Sequence, residues 1–314
     1  MAKPAARALG LGLLLAAALA LPWYGANDSL ITTLVHALIL ATLAISWNIL
    51  AGFAGQINLG HAALFGIGAL ATRQLWLAQG WGLWAGLAAG GLAAALFALL
   101  VGAPALRLRG IYFSIATLAI AQALRATVSS LLPKVTRLPG AVLAQYALSE
   151  RYWLALGVFL AALVAANLLR HSKLGLGMRV VREDEHAAEA IGVNIFAHKL
   201  SAFVISAFWA GLAGGVFAFY HPSYYYSLTF EPAWTFDAVL VTFIGGIGSL
   251  VGPVLGTAFF VFLRDVLAAH WVDFHLILFG SVFILVVLLM PGGFIEFWHS
   301  VKSKRAQGAA QEKR

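Results

Sequence analysis

Residues 30–61 read LITTLVHALILATLAISWNILAGFAGQINLGH, an apolar run that gives way to glycines and amide side chains. Leu30 to Leu50 contains no charged residue. As a helix rising 1.5 Å per residue it is about 30 Å long, the thickness of a bilayer's hydrocarbon core. Beyond it, Gly52, Gly55, Gly60, Gly66 and Gly68 crowd a stretch that otherwise reads as helix, accompanied by Asn48, Gln56, Asn58 and His61. Glycine at membrane depth weakens a helix unless the freed backbone groups are satisfied by protein or line a cavity. Polar side chains at that depth are costly without partners. The stretch therefore predicts a helix that crosses a membrane and then breaks. Asn48, Gly52, Gly55, Gln56, Asn58 and His61 face either other protein or a wet path, and their spacing leaves both open. No metal-ligand spacing joins His61 to other ligating groups, so no metal is assigned.

The rest of the chain agrees with a membrane setting. Apolar residues fill 62% of its 314 positions and charged residues 10%, with a mean hydropathy of +0.90. A soluble domain carries about 25% charged residues. A chain so short of charge cannot cover its own surface with polar groups, so its main solvent is lipid. A net charge of +8 invites a nucleic-acid partner. The basic residues, however, sit in short clusters between apolar runs, the pattern of orientation signals at an anionic membrane surface. Cysteine is absent, which removes disulfides, thiolate metal sites and thiol redox chemistry.

Membrane-length segments are predicted at 9–22, 30–50, 59–78, 82–103, 110–131, 152–169, 198–220, 234–248, 250–269 and 272–290. The first reads as an uncleaved span. Lys3 and Arg7 precede a short apolar run, but Pro22-Trp23-Tyr24-Gly25-Ala26 offers no convincing cleavage site. With the amino terminus inside, Arg107, Arg109, Arg170, Lys173, Arg179, Arg182 and Lys199 all fall on inward segments, as do the basic residues of both termini. Outward loops hold only Lys134, Arg137, Arg151 and Arg264. Ten spans are expected, or eight with two segments re-entrant, both termini being cytoplasmic. One membrane domain covers 1–300, and a basic tail follows over 301–314.

A second broken segment lies near the far end, where Gly245, Gly246, Gly248, Gly252 and Gly256 surround Pro253. Interrupted hydrophobic segments in corresponding places point to a transport pathway. Asp237, preceded by Trp234 and Phe236, stands at the mouth of this segment, where it could meet an ammonium group. Gly211-Leu212-Ala213-Gly214-Gly215 reads instead as close helix packing. Arg73, Arg264 and Asp265 fall near predicted span ends, where snorkelling or pairing accounts for them. His221-Pro222-Ser223-Tyr224-Tyr225-Tyr226 reads as an interfacial aromatic belt.

Residues 178–194 form a charged inward stretch, Met-Arg-Val-Val-Arg-Glu-Asp-Glu-His-Ala-Ala-Glu-Ala-Ile-Gly-Val-Asn. Segment 184–191 is helix-favouring and acid-rich at its start, which suits the positive end of a helix dipole. Gly192 supplies a left-handed stop. The result is a helix of about two turns with one apolar and one charged face. Either it docks into a groove on a partner, or it is a solvated loop that its charges keep out of the bilayer. No paired carboxylates, nucleophile–base set or histidine cluster appears, so no catalytic residue is expected. No Gly-x-x-x-x-Gly-Lys-Ser/Thr phosphate loop occurs either, so any nucleotide hydrolysis belongs to another polypeptide.

Glu185, Ala187, Ala188 and Gly192 resemble the EAA-type coupling signature of ABC importer permeases. Gly175 to Arg179, Arg182 to Glu185 and Gly192-Val193-Asn194 resemble the LivM-type permeases of branched-chain amino acid importers. So do Ala51 to His61, Leu106 to Phe113, Thr242 to Ser249 and Pro291-Gly292-Gly293, in order along most of the chain. The resemblance implies a second, LivH-like permease, two ATP-binding subunits (LivG- and LivF-like) and a periplasmic substrate-binding protein. It places ATP and magnesium on those partners and no cofactor in this chain. It also implies a coupling helix over about 182–192. There Arg182, Glu183, Asp184 and Glu189 would make polar contacts with the ATPase, and Ala187, Ala188 and Gly192 would pack closely.

The expected fold is an all-α bundle of eight to ten transmembrane helices in a bacterial inner membrane, with glycine-broken helices and a short cytoplasmic coupling helix. Its expected activity is half of a translocation pathway for a branched-chain or related hydrophobic amino acid. Asn48, Gly52, Gly55, Gln56, Asn58, His61, Asp237, Gly245, Gly246 and Gly248 are expected to line it. Broken helices and intramembrane polar groups suit an ion-coupled secondary transporter or channel as well.

Overall fold

The computed structural model describes residues 27–132 and 135–270, and a few isolated positions beyond them, including 292–296. The expected spans at 9–22 and 272–290, Lys134 and the basic tail lie outside the described residues.

Each of the eight predicted segments between 30 and 269 is occupied by a helix. Helix α1, Asp28–Asn48, continues through a π-helical turn at Ile49–Phe53. Then follow α2 His61–Leu77, α3 Leu83–Ala105, α4 Ile111–Leu131, the single turn α5 Gly140–Leu143, and α6 Leu148–His171. A charged pair comes next, α7 Lys173–Glu183 and α8 Glu185–Ala190, then α9 Ile195–Tyr220, α10 Pro232–Gly245 and α11 Gly252–His270. Five of these, α1 with its π turn, α3, α4, α6 and α9, are long and apolar enough to cross a membrane. At 14 residues α10 is too short to span the hydrocarbon by itself. The inward stretch 170–199, read from the sequence as a loop with one two-turn helix, is helical through most of its length. Ser172 starts α7 by accepting the Gly175 N–H on its hydroxyl.

Helix α9 is the axis of the bundle and packs against α1, α2, α3 and α6. Small residues make this possible. A methyl at Gly68 would strike the Gly211 backbone, and one at Gly214 would strike the Phe65 carbonyl. The 211–215 cluster is therefore close packing, as its spacing suggests. On the outside of α3, Leu92, Leu96, Leu99 and Leu100 are exposed, a face suited to lipid or another apolar surface.

Lys173, Arg179 and Arg182 of α7 and Lys199 near the start of α9 lie at one end of the bundle. At the opposite end a short antiparallel pair joins β1, Thr136–Arg137, to β2, Ser223–Tyr224. Two expectations fail at this end. Arg73 does not snorkel. It is 1% exposed and donates to the carbonyls of Ala218, His221 and Pro222 and to the Thr136 hydroxyl. A guanidinium with several donors can tie an irregular loop to a helix, a stronger use than reaching for water. The tyrosine run is not simply a surface belt either. Tyr224 and Tyr226 are buried and only Tyr225 is exposed, because the β pairing turns Tyr224 toward Phe217 and Arg73.

Candidate functional site

Helix α8 is built as its sequence suggests. Asp184 caps it by accepting the backbone N–H groups of His186 and Ala187. Those two bonds, with Ala187 the larger contributor, hold its carboxyl below the usual range. Gly192 closes the helix at φ +82°, where its N–H reaches the Glu189 carbonyl and the Val193 N–H reaches that of Ala188. Asn194 then caps α9 by accepting the Ala197 N–H.

The side chains of this segment divide into two sets. Glu183, Ala187, Glu189 and Gly192 are exposed, and so is Ile191. Others face inward. Ala188 is fully buried, its close packing being against this chain's own residues. Glu185 pairs with Lys199 at 2.6 Å, tying α8 to α9. Arg182 turns back into the bundle, where its Nη1 donates to the Gly52 carbonyl at 2.5 Å.

That bond joins the charged segment to the two glycine breaks, which meet each other. The Asn48 side chain donates to the Ser249 carbonyl at 2.7 Å and accepts from the Gly248 N–H at 2.8 Å. One amide thus satisfies both a donor and an acceptor freed by the second break. Gly248, at φ +80°, lies against the Arg182 guanidinium and the Gly52 carbonyl, so a side chain there would be both strained and crowded. Gly245 and Gly246 belong to the same junction, and a methyl at Gly245 would strike the Gly252 carbonyl. Gly55, at φ +71°, lies over the Arg182 stem.

Backbone groups of the first break are satisfied in the same manner. Ser114 donates to the Ile57 carbonyl, Trp47 Nε1 donates to that of Asn58, Thr117 accepts the Leu59 N–H and Thr235 accepts that of Ala62. His61 is fully buried. Its Nε2 lies 2.7 Å from the Ser46 hydroxyl, which itself donates to the Leu43 carbonyl. The imidazole is therefore neutral with its proton on Nε2, leaving Nδ1 to accept from the Asn58 amide at 3.4 Å. Asn58 also accepts the Gly60 N–H, and Gln56 is buried beside the Ala54 carbonyl. Of the two uses open for these polar groups, internal hydrogen bonding is what the structure displays. Ser46, Ser114, Thr117 and Thr235 carry much of it. They escaped the sequence reading because single hydroxyls in apolar helices show no periodic signal.

Asp237 stands apart from this junction. It lines a cavity of about 360 Å³ between α1, α9, α10 and α11, together with His36, His221, Trp234 and Arg264. His36 drew no attention in the sequence.

Comparison with known proteins gives a consistent answer. The family model described as "Branched-chain amino acid transport system / permease component" matches residues 29–287. The chain is 30% identical over 290 residues to the high-affinity branched-chain amino acid transport system permease protein LivM of Escherichia coli, covering 81% of this chain and 67% of that protein. It is 29% identical to LivM of Salmonella typhimurium, over 85% of this chain and 70% of that one. A shorter match, 27% identical over 44% of each chain, reaches the permease protein LivH of Escherichia coli. No solved structure matches. The chain is a multi-pass membrane protein and belongs to the family of permease components of branched-chain amino acid transport systems.

Proposed function

We propose that this chain is the membrane-spanning permease subunit of an ATP-driven importer. In this reading it forms half of a translocation pathway for a branched-chain or related hydrophobic amino acid. A second, related permease forms the other half, two separate subunits bind ATP and magnesium, and a periplasmic protein delivers the substrate. The LivM and LivH relatives, two kinds of permease protein, support a paired permease. In this reading the charged stretch 170–199 and both termini face the cytoplasm of a bacterial inner membrane, in keeping with the inward excess of lysine and arginine in the sequence.

The observation that carries this reading is the α7–α8 element. Glu183 at the end of α7, and Glu189 and Ile191 of the doubly capped α8, face outward, while Arg182 binds the Gly52 carbonyl between the two breaks. Closure of the ATP-binding subunits would push α8, and the stiff path through α7 and Arg182 would move Gly52 against Gly248. A junction held by a few side chain–backbone bonds can exchange two discrete arrangements, as alternating access requires.

The test is co-purification of tagged chain from its native membrane, comparing wild type with Gly192→Asp and Glu189→Lys. An ATPase recovered with wild type, and lost from both variants while the permease stays monodisperse, is the expected result. A stable wild-type protein that brings no ATPase and transports in liposomes on an ion gradient overturns the reading.

A further inference from the structure

We infer that the cavity around Asp237 is a binding site for a zwitterionic α-amino acid, with Asp237 receiving the ammonium and Arg264 the carboxylate. The inference rests on the importer reading and assigns that reading's substrate a place in this chain.

Four charged groups lie in or beside the cavity's wall, and among the described residues Asp237 alone of them has no partner. Glu231 pairs with Arg125 at 3.3 Å. Asp265 accepts from the Thr33 hydroxyl and lies beside Arg264. Asp237 and Arg264 face the same cavity without forming an ion pair with each other. Among the described residues Asp237 makes no hydrogen bond, and Arg264 has only its chain neighbour, at 3.7 Å through Nε. Opposite charges left apart within a membrane bundle are costly, and such residues mark substrate pathways. A ligand carrying both charged groups on one carbon satisfies the two together, whereas a singly charged ligand leaves one unmatched and an apolar ligand leaves both.

The walls are suited to the rest of such a ligand. Trp234 is held rigidly, its ring stacked on Phe65 at 4.6 Å and its Nε1 donating to the Leu228 carbonyl. Phe217 stands edge-on to it at 5.2 Å, and with Val261 and Leu40 it offers an apolar pocket for an aliphatic side chain. Two imidazole nitrogens are also free of the fold. His36 commits Nδ1 to the Thr32 carbonyl, and His221 Nε2 is buried with no partner. A volume of about 360 Å³ lies at the small end of the roughly 300–1,000 Å³ of small-molecule sites.

The experiment uses tagged full-length chain purified from its native membrane with whatever accompanies it. It measures binding of radiolabelled L-leucine, isocaproate (leucine lacking the ammonium) and isoamylamine (leucine lacking the carboxylate). Asp237→Asn is expected to weaken leucine binding about tenfold or more while sparing isocaproate, and Arg264→Gln to weaken leucine while sparing isoamylamine. Asp237→Glu should retain more leucine binding than Asp237→Asn. Equal losses for all three probes, unchanged leucine binding in both variants, or no leucine binding by wild type overturns the inference. ATP hydrolysis in the same preparation reports separately on the importer reading. With hydrolysis present and any of the three failure patterns above, only the site assignment falls. With hydrolysis absent, the importer reading falls whatever the probes show.

Discussion

Two polar clusters lie inside this bundle, and they follow opposite rules. Around the glycine breaks, Asn48, Asn58, His61 and Arg182 are engaged with backbone or with one another. Around the cavity, Asp237 and the Nε2 of His221 have no partner among the described residues. A satisfied polar group in a low-dielectric interior rigidifies the fold, and an unsatisfied one weakens it. The comparison separates polar residues that hold a membrane protein together from those that the proposed site would leave to a ligand, a distinction invisible in residue type alone.

The largest effect should come from Asn48→Leu, which leaves the part-buried Gly248 N–H and Ser249 carbonyl without their partner. At about 1–3 kcal/mol for each unsatisfied group, thermal unfolding in detergent should move sharply downward. Asp237→Leu, at the other cluster, should leave that temperature unchanged or raise it. If both substitutions destabilise alike, the comparison is broken.

Next is Gly60→Ala. The new methyl would meet the Thr117 carbonyl, and overpacking of this kind costs about 1–3 kcal/mol. Gly157, within α6, has open space at the same position, so Gly157→Ala should gain about 0.5–1 kcal/mol from helix propensity. Unfolding of the two variants side by side checks both signs.

Gly192→Ala sharpens the picture at α8. Nothing surrounds this glycine, so the cost is backbone strain alone, about 1–2 kcal/mol for a left-handed residue bearing a side chain. The loss should be local: faster amide exchange through α8, weaker ATPase association and little change in bundle stability.

The smallest effect is the pH response of the α8 cap. Asp184 titrates lower when folded than when unfolded, so its contribution is complete above the unfolded value of about 3.9 and is lost as pH falls through the folded one. Exchange of the His186 and Ala187 amides should accelerate on acidification through that range. In Asp184→Ala those amides should be fast throughout and lack the acid step.

The α8 element was legible because its signals are local. Asp184 before the helix and Gly192 after it act on backbone within a few residues, so spacing alone located both ends. Close packing was expected at Ala187 and Ala188 alike, but a two-turn helix offers no periodicity to say which alanine turns home, and only Ala188 is buried. The same limit explains Arg73. Its position near a span end suggested water, and only the return of 221–224 beside it supplies the carbonyls it binds. Asp237 drew notice through its aromatic neighbours, whereas Arg264, which lines the same cavity from another helix, looked like an ordinary span-end residue.

Run length and charge spacing were enough to establish a helical membrane bundle, the places of eight of its helices and the breaks within it. They suffice because hydrocarbon thickness and helix rise are constants, and because a helix broken at membrane depth frees backbone groups that must be satisfied. Which groups answer that need was decided by tertiary structure. The Asn48–Ser249 and Arg182–Gly52 bonds join residues 201 and 130 positions apart, and no local pattern encodes a pairing at that range. The cavity has the same origin: four helices must pack before an aspartate and an arginine can face one space without touching.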